Sequence, residues 1–250
     1  VCRIFAHRGF SASYPENSLL AFEKAIETGC EGIELDVQLT RDGQLVVIHD
    51  ETLDRTTGAK GRVRDFSLAE LERLDASGRF SGNLGFNPIP TLSDYFDLVR
   101  NKTIATNIEL KNGIFVYPGL EEKVVAMVAE FGLEDRVLFS SFNHQSLLKC
   151  KALSPSSEIA FIISCWMIGA GSYCKDNRGA YINPRSCFLT PENMDELSRS
   201  GVKAMAWTVD EPSEMKRLAG AGVDSLITNE PALAMDVLGR GRPGQKIPSR

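Results

Sequence analysis

The sequence predicts an α/β chain folded as a (β/α)8 TIM barrel, with a small insertion after the second βα strand region. Apolar, β-branched runs alternate with amphipathic stretches along almost the whole chain, the signature of βα units around a parallel sheet. A length of 250 residues suits one such barrel. No G-x-G-x-x-G or Walker A loop follows a strand, which weighs against an open, doubly wound sheet built to hold a nucleotide.

Strands are expected over 3–6, 32–38, 44–48, 104–110, 136–140, 158–163, 180–183, 203–208 and 224–228. Helices are expected over 17–28, 91–100, 119–131, 143–152, 191–200, 211–221 and 230–238. Several helices open with starting signals: Asn17 ahead of "SLLAF", Thr190-Pro191-Glu192, Asp210-Glu211-Pro212 and Glu230-Pro231. Glu16 and Asn17 are read as belonging to that first helix start, Asn17 as its cap. Gly29, Gly132, Gly201 and Gly222 follow helices where a left-handed stop residue belongs. The rhythm breaks at 50–90, which holds no further buried strand but one short helix with a capping box at Ser67 and Glu70. This segment is read as a subdomain inserted into one barrel domain spanning 1–240, with 241–250 as a flexible tail.

The net charge of −5 and pI near 5.4 argue against a general nucleic-acid binder. The longest uncharged run, 159–174, is too short for a bilayer span and is broken by glycines. The six cysteines show no C-x-x-C spacing, which fits reduced thiols in a cytoplasmic protein. No signal peptide is legible, although the start at Val1 leaves room for a trimmed leader.

Two strands carry carboxylates where a barrel should be apolar. In "GIELDVQL", Ile33, Leu35 and Val37 share one face while Glu34 and Asp36 share the other; in "NIELKN", Ile108 and Leu110 oppose Asn107, Glu109 and Lys111. In a parallel barrel the second face looks inward, where unpaired carboxylates cost several kcal/mol each. Convergence of Glu34, Asp36 and Glu109 suits a hard divalent cation, Mg²⁺ or Ca²⁺. The alternative is a set of structural ion pairs with Arg3, Arg8 or Lys111. His7 and His49, two of only three histidines, both end strands and so reach the same mouth, where such a pair serves acid–base chemistry. His144, at the start of a helix, is read as structural or exposed.

The segments "AHRG" (6–9), "YPENSLLAFEKAIETG" (14–29), "IELDVQLTRDGQLVVIHDETLDRTTG" (33–58), "IPTLSDYF" (89–96), "NIELK" (107–111), "SSF" (140–142), "AWTVDE" (206–211) and "GVDSLITNEP" (222–231) together resemble the bacterial glycerophosphodiester phosphodiesterases. The resemblance implies a TIM barrel and hydrolysis of glycerophosphodiesters to sn-glycerol 3-phosphate and an alcohol such as choline or ethanolamine. It implies His7 and His49 as the acid–base pair, Arg8 and Lys111 beside the phosphate, and Glu34, Asp36 and Glu109 as ligands of one divalent cation. Trp207 is expected to line the pocket and Phe142 to touch substrate. The loop 164–186 departs most from the family pattern and bears on substrate choice. Small-molecule diesters are thus the expected partners. A lysophospholipase D-like enzyme is the rival reading, disfavoured because 50–90 offers only scattered apolar residues such as Phe80, Leu84 and Phe86 to an acyl chain. A non-catalytic phosphodiester-binding barrel is the third.

Overall fold

The structure, a computed structural model, describes residues 1–241. The tail expected over 241–250 therefore lies, apart from Gly241, outside the described residues.

Eight parallel strands close into a barrel: β1 (Arg3–His7), β2 (Gly32–Leu39), β4 (Ala105–Leu110), β5 (Val137–Ser141), β6 (Glu158–Ile163), β7 (Tyr181–Pro184), β8 (Lys203–Ala206) and β9 (Ser225–Thr228). Closure comes from β1, which pairs with β2 on one side and β9 on the other. The remaining strand, β3 (Leu45–Val47), is not a barrel stave. It folds back antiparallel on the far end of β2, with Val37 opposite Val47. Helices α1 (Leu19–Thr28), α4 (Leu92–Val99), α5 (Leu120–Glu130), α6 (His144–Leu153), α8 (Pro191–Ser200), α9 (Pro212–Gly220) and α10 (Pro231–Val237) cover the outside at the expected places. Two helices were not expected: the four-residue α2 (Asp54–Thr57) in the insertion, and α7 (Ala170–Asp176) inside the 164–186 stretch, where "GAGSYC" lacks helical periodicity and two glycines weaken the local signal.

Two apolar layers hold the barrel. Outward-facing Ile33, Leu35, Ile108, Phe139, Phe161 and Leu226 are fully buried beneath the helices. Inside, Phe5, Leu138, Ala160, Tyr181, Met205 and Ile227 plug the lower half of the barrel. Side chains alternate with period two, so the next inward position on each strand rises to the mouth: His7, Ser140, Ile162, Asn183 and the Trp207 that follows β8. That upper layer is mostly polar, so the chemistry sits on an apolar floor.

The insertion between β3 and α4 contains the short helices α2 (Asp54–Thr57) and α3 (Leu68–Leu71). The capping box of Ser67 and Glu70 opens α3 as expected. Val46, Ile48, Leu53, Val63, Leu71 and Ile89 form its own small core.

Candidate active site

The path of the chain after β1 brings the mouth together. Arg8 adopts a left-handed backbone at φ 56°, and Gly9 follows at φ 81°. A Cβ at Gly9 would lie 2.7 Å from the Ala21 backbone, so only glycine lets the turn press against α1. The turn returns the Arg8 side chain toward the barrel axis. Its Nε lies 3.3 Å from Asp36 and its Nη1 2.8 Å from Glu16. The first helix start is built differently from the expectation. Ser18, not Asn17, is the cap, accepting from the Ala21 amide. Asn17 has φ 56° and points inward, donating to Asp36 Oδ2 at 2.9 Å. Glu16 likewise serves the mouth, held between Arg8 and the Arg55 fork of the insertion. Helix caps and site ligands draw on the same residue types, so sequence pattern alone could not separate them.

Glu34, Asp36 and Glu109 are buried, and each offers an oxygen within 4.8 Å of the others. The parallel register explains the convergence, since Asp36 lies directly across from Glu109. The ion pairing is incomplete. Lys111 Nζ reaches Glu109 at 2.9 Å and Asp36 at 3.9 Å, while Asp36 Oδ1 has no hydrogen-bond partner. Burial together with the charges of Asp36 and Glu109 drives Glu34 well above the carboxylate range. Burial and Asp36 also raise Glu109, against Lys111. Burial works to raise Asp36 as well, but Arg8 and other nearby groups hold it down at about 2. Three hard oxygen donors short of positive charge fit a divalent cation. The expected alternative of ion pairs is met in part, by Arg8 and Lys111 on Asp36 and by Lys111 on Glu109, whereas Arg3 pairs elsewhere, with Asp224 at the opposite end of the barrel.

The two histidines have chemically different partners. His7 Nδ1 lies 2.7 Å from the Asn229 side-chain oxygen, which places its proton on Nδ1 and turns Nε2 toward Glu34, 3.9 Å away. Asn229 is fixed in turn by Ser11 and by Asp210, to which its amide donates at 2.6 Å. Burial, with the Arg8 charge, pushes the His7 imidazole down to about 4. His49 Nδ1 instead meets a carboxylate, Asp50 Oδ1, at 2.7 Å. Arg55 grips that carboxylate with two nitrogens, at 2.7 and 3.0 Å.

His49 sits on a loop, and buried Gln38 fixes it. The Gln38 amide nitrogen lies within 3.1 Å of the carbonyls of Ile48, His49 and Asp50, and its oxygen accepts from Tyr117. Period-two alternation puts Gln38 on the face of Glu34 and Asp36, but it does not show that the side chain ties down the His49 loop. Trp207 donates its indole N–H to the Asn183 carbonyl at 2.7 Å and meets half-exposed Phe142 edge to face at 5.8 Å. His144 is structural, as expected: its ring bonds Tyr173 and the Ile162 carbonyl.

Thus all nine expected site residues meet at one mouth. A cavity of about 60 Å³ is bounded by His7, Glu34, His49, Glu109, Phe142 and Trp207. A wider one, about 790 Å³, opens on the other side of His7 and Arg8 and is lined by Glu16, Arg55, Ser77, Arg79 and Asp210 among others. Sequence reasoning missed Asp50, Arg55, Asn229 and Asp210 as members, although all four stand within the quoted motifs. Among the described residues no helix is long and apolar enough to cross a membrane.

Residues 7–233 match the Glycerophosphoryl diester phosphodiesterase family. A glycerophosphodiester phosphodiesterase from Caldanaerobacter subterraneus subsp. tengcongensis is 42% identical over 238 residues, covering 95% of this chain and 98% of that protein. One from Bacillus altitudinis is also 42% identical, covering 94% and 97%. Among solved structures, an Oleispira antarctica phosphodiesterase in complex with the product sn-glycerol-3-phosphate superposes with a TM-score of 0.84 at 29% identity, covering 95% of this chain and 96% of that one.

Proposed function

This chain belongs to the glycerophosphoryl diester phosphodiesterase family, and on that premise we propose that it hydrolyses diesters such as glycerophosphocholine and glycerophosphoethanolamine. The products are sn-glycerol 3-phosphate and the free alcohol. One observation carries the reading: a neutral-partnered histidine and a carboxylate-partnered histidine stand at one mouth with two cations and three buried carboxylates.

Arg8 and Lys111 face the non-bridging phosphate oxygens and offset their charge. His7, neutral with its free Nε2 turned into the site, accepts the proton of the nucleophile, a water or the adjacent glycerol hydroxyl. A P–O bond to that oxygen forms as the bond to the alcohol oxygen breaks. His49, oriented by the Asp50 carboxylate at its Nδ1, gives its proton to the departing alkoxide. Glu34, Asp36 and Glu109 hold one divalent cation, which when bound supplies further positive charge against the phosphate. All-oxygen donors favour Mg²⁺ or Ca²⁺. Trp207 and Phe142 wall the narrow cavity against the glycerol carbons.

The wide cavity beside His7 sets the charged side chains of Glu16, Arg55, Arg79 and Asp210 among apolar ones such as Ala12, Ala76 and Phe80. The four charged groups on that wall favour a hydrophilic alcohol over an acyl chain, which is the ground for preferring the headgroup reading to the lysophospholipid one. We read 1–240 as one catalytic barrel with 50–90 as its insertion. We place it in the cytoplasm, a reading supported by six free cysteines, two of them exposed.

The test is release of glycerol 3-phosphate from glycerophosphocholine and glycerophosphoethanolamine with EDTA, Mg²⁺ or Ca²⁺ present. Release that EDTA abolishes and a divalent ion restores is expected. Folded protein that releases none under any condition refutes the proposal.

A further inference from the structure

Three side chains at the foot of the narrow cavity have polar atoms with nothing to bond. Asn107 on β4, Ser140 on β5 and Asn183 on β7 are each at most 1% exposed. Both side-chain polar atoms of Asn107, the Ser140 hydroxyl and the Asn183 side-chain oxygen lack any hydrogen-bond partner. Buried polar groups are almost always paired, and each left alone costs stability. Four such atoms on three strands, all lining one cavity, are a cost that folding does not explain. None of the three belongs to the carboxylate triad, to the histidine networks or to the two cations.

Their chemistry narrows what pairs with them. Neutral amide and hydroxyl groups provide both donors and acceptors, and the acceptors would repel a phosphate oxygen. An alkyl arm would leave all of them unpaired. A vicinal diol supplies two O–H donors and two acceptor oxygens, the complement of this floor. The walls agree, since Trp207, Phe142 and Ile162 give carbon-facing surfaces around the polar foot.

We propose that Asn107, Ser140 and Asn183 form a hydroxyl-reading floor that binds the free hydroxyls of the glycerol arm and sets the enzyme's preference for glycerol diesters. This rests on the proposed glycerophosphodiesterase activity. It assigns specificity to three neutral residues outside the acid–base and charge-bearing machinery. A site whose buried polar groups are left unpaired by the wrong ligand discriminates far more strongly than an apolar pocket does.

The experiment compares kcat/KM on glycerophosphocholine with that on 2-hydroxypropylphosphocholine, a propyl diester that keeps the hydroxyl adjacent to the ester and lacks the terminal one. It uses the wild type, Ser140→Ala and Asn183→Leu, with Mg²⁺ or Ca²⁺ affinity and thermal midpoint measured on each protein. The glycerol-to-propyl ratio is expected to fall at least about tenfold in each variant. Affinity for the metal ion alone should hold, and the midpoint should stay or rise, because an isosteric apolar group relieves an unpaired one. An unchanged ratio in both variants overturns the floor, as does loss of metal affinity with the ratio intact, which would make these residues part of the cation site. Should Asn183→Leu not fold, Ser140→Ala alone decides, since it removes one atom. A wild type idle on glycerophosphocholine refutes the proposed activity itself and takes the floor with it, whereas an active wild type with unmoved variants refutes only the floor.

Discussion

Replacing His49 with alanine should damage the reaction in a way that depends on the leaving group. If His49 protonates the departing alkoxide, its removal matters for choline, a poor leaving group, and far less for 4-nitrophenolate, which departs without a proton. Positioned acid–base groups contribute about 10²–10⁴-fold. The lower part of that range applies here, because the His49 side chain is 30% exposed and water can replace part of its function. We therefore expect His49→Ala to lower kcat on glycerophosphocholine by about 10²–10³-fold and on glycerol 4-nitrophenyl phosphate by less than about tenfold. Asp50→Asn should follow in miniature. It withdraws a charge-assisted hydrogen bond of 2.7 Å, worth about 1.5–3 kcal/mol, or roughly 10–100-fold in kcat on the choline diester. The assay is steady-state release of glycerol 3-phosphate from both substrates, with circular dichroism to verify folding. Equal losses on the two substrates would refute the assignment of His49 as the acid. A His7→Ala variant that instead showed the leaving-group dependence would reverse the two roles.

Further expectations concern the cation, the loop and acid stability. Saturating Mg²⁺ or Ca²⁺ at about 100 times Kd should add about 2.7 kcal/mol of stability, a rise of roughly 5–10 °C in thermal midpoint. Glu34→Gln should abolish that rise in a thermal scan; an undiminished rise would mean that the ion binds elsewhere. Gln38→Leu leaves the carbonyls of the His49 loop and the Tyr117 hydroxyl without their partner, so urea unfolding should show a loss of about 2–4 kcal/mol together with reduced kcat. The Glu16 carboxyl lies below its ordinary value, because hydrogen bonds from Arg55 and the charge of Arg8 outweigh its burial. Asp50 is lowered too, by its His49 bond and by Arg55 against burial. Depressed carboxyls stabilise the fold above their unfolded pKa, and that contribution is lost as pH falls through the folded values. Arg55→Met should accordingly flatten the decline of thermal midpoint between about pH 5 and pH 2. A decline as steep as the wild type's would show that Arg55 does not hold these carboxyls.

Much of this was legible because it is periodic. Alternation in "GIELDVQL" put Glu34 and Asp36 on the inward face, and the barrel's parallel register then set Asp36 against Glu109. The strand end put His7 at the mouth, as expected. His49 reached the mouth by a different route, past an antiparallel strand whose direction the apolar run "LVVI" does not encode. The helix start at 16–18 misled, since Asn and Ser are equally good caps and Asn serves a polar site just as well. Helix α7 was invisible for the opposite reason, that packing rather than propensity holds it.

By itself the sequence determined the βα rhythm, the inward carboxylates and the motif residues, because period-two alternation and strand ends are local facts. Only the tertiary structure decided who partners whom. Asn229, from the last barrel strand's loop, and Asp50, beside His49 itself, give the two histidines unlike partners, on which their proposed roles rest. The unpaired floor of Asn107, Ser140 and Asn183 likewise exists only once the barrel closes. Burial and the absence of a partner are properties of the assembled interior, and a lone polar residue on a strand does not announce them.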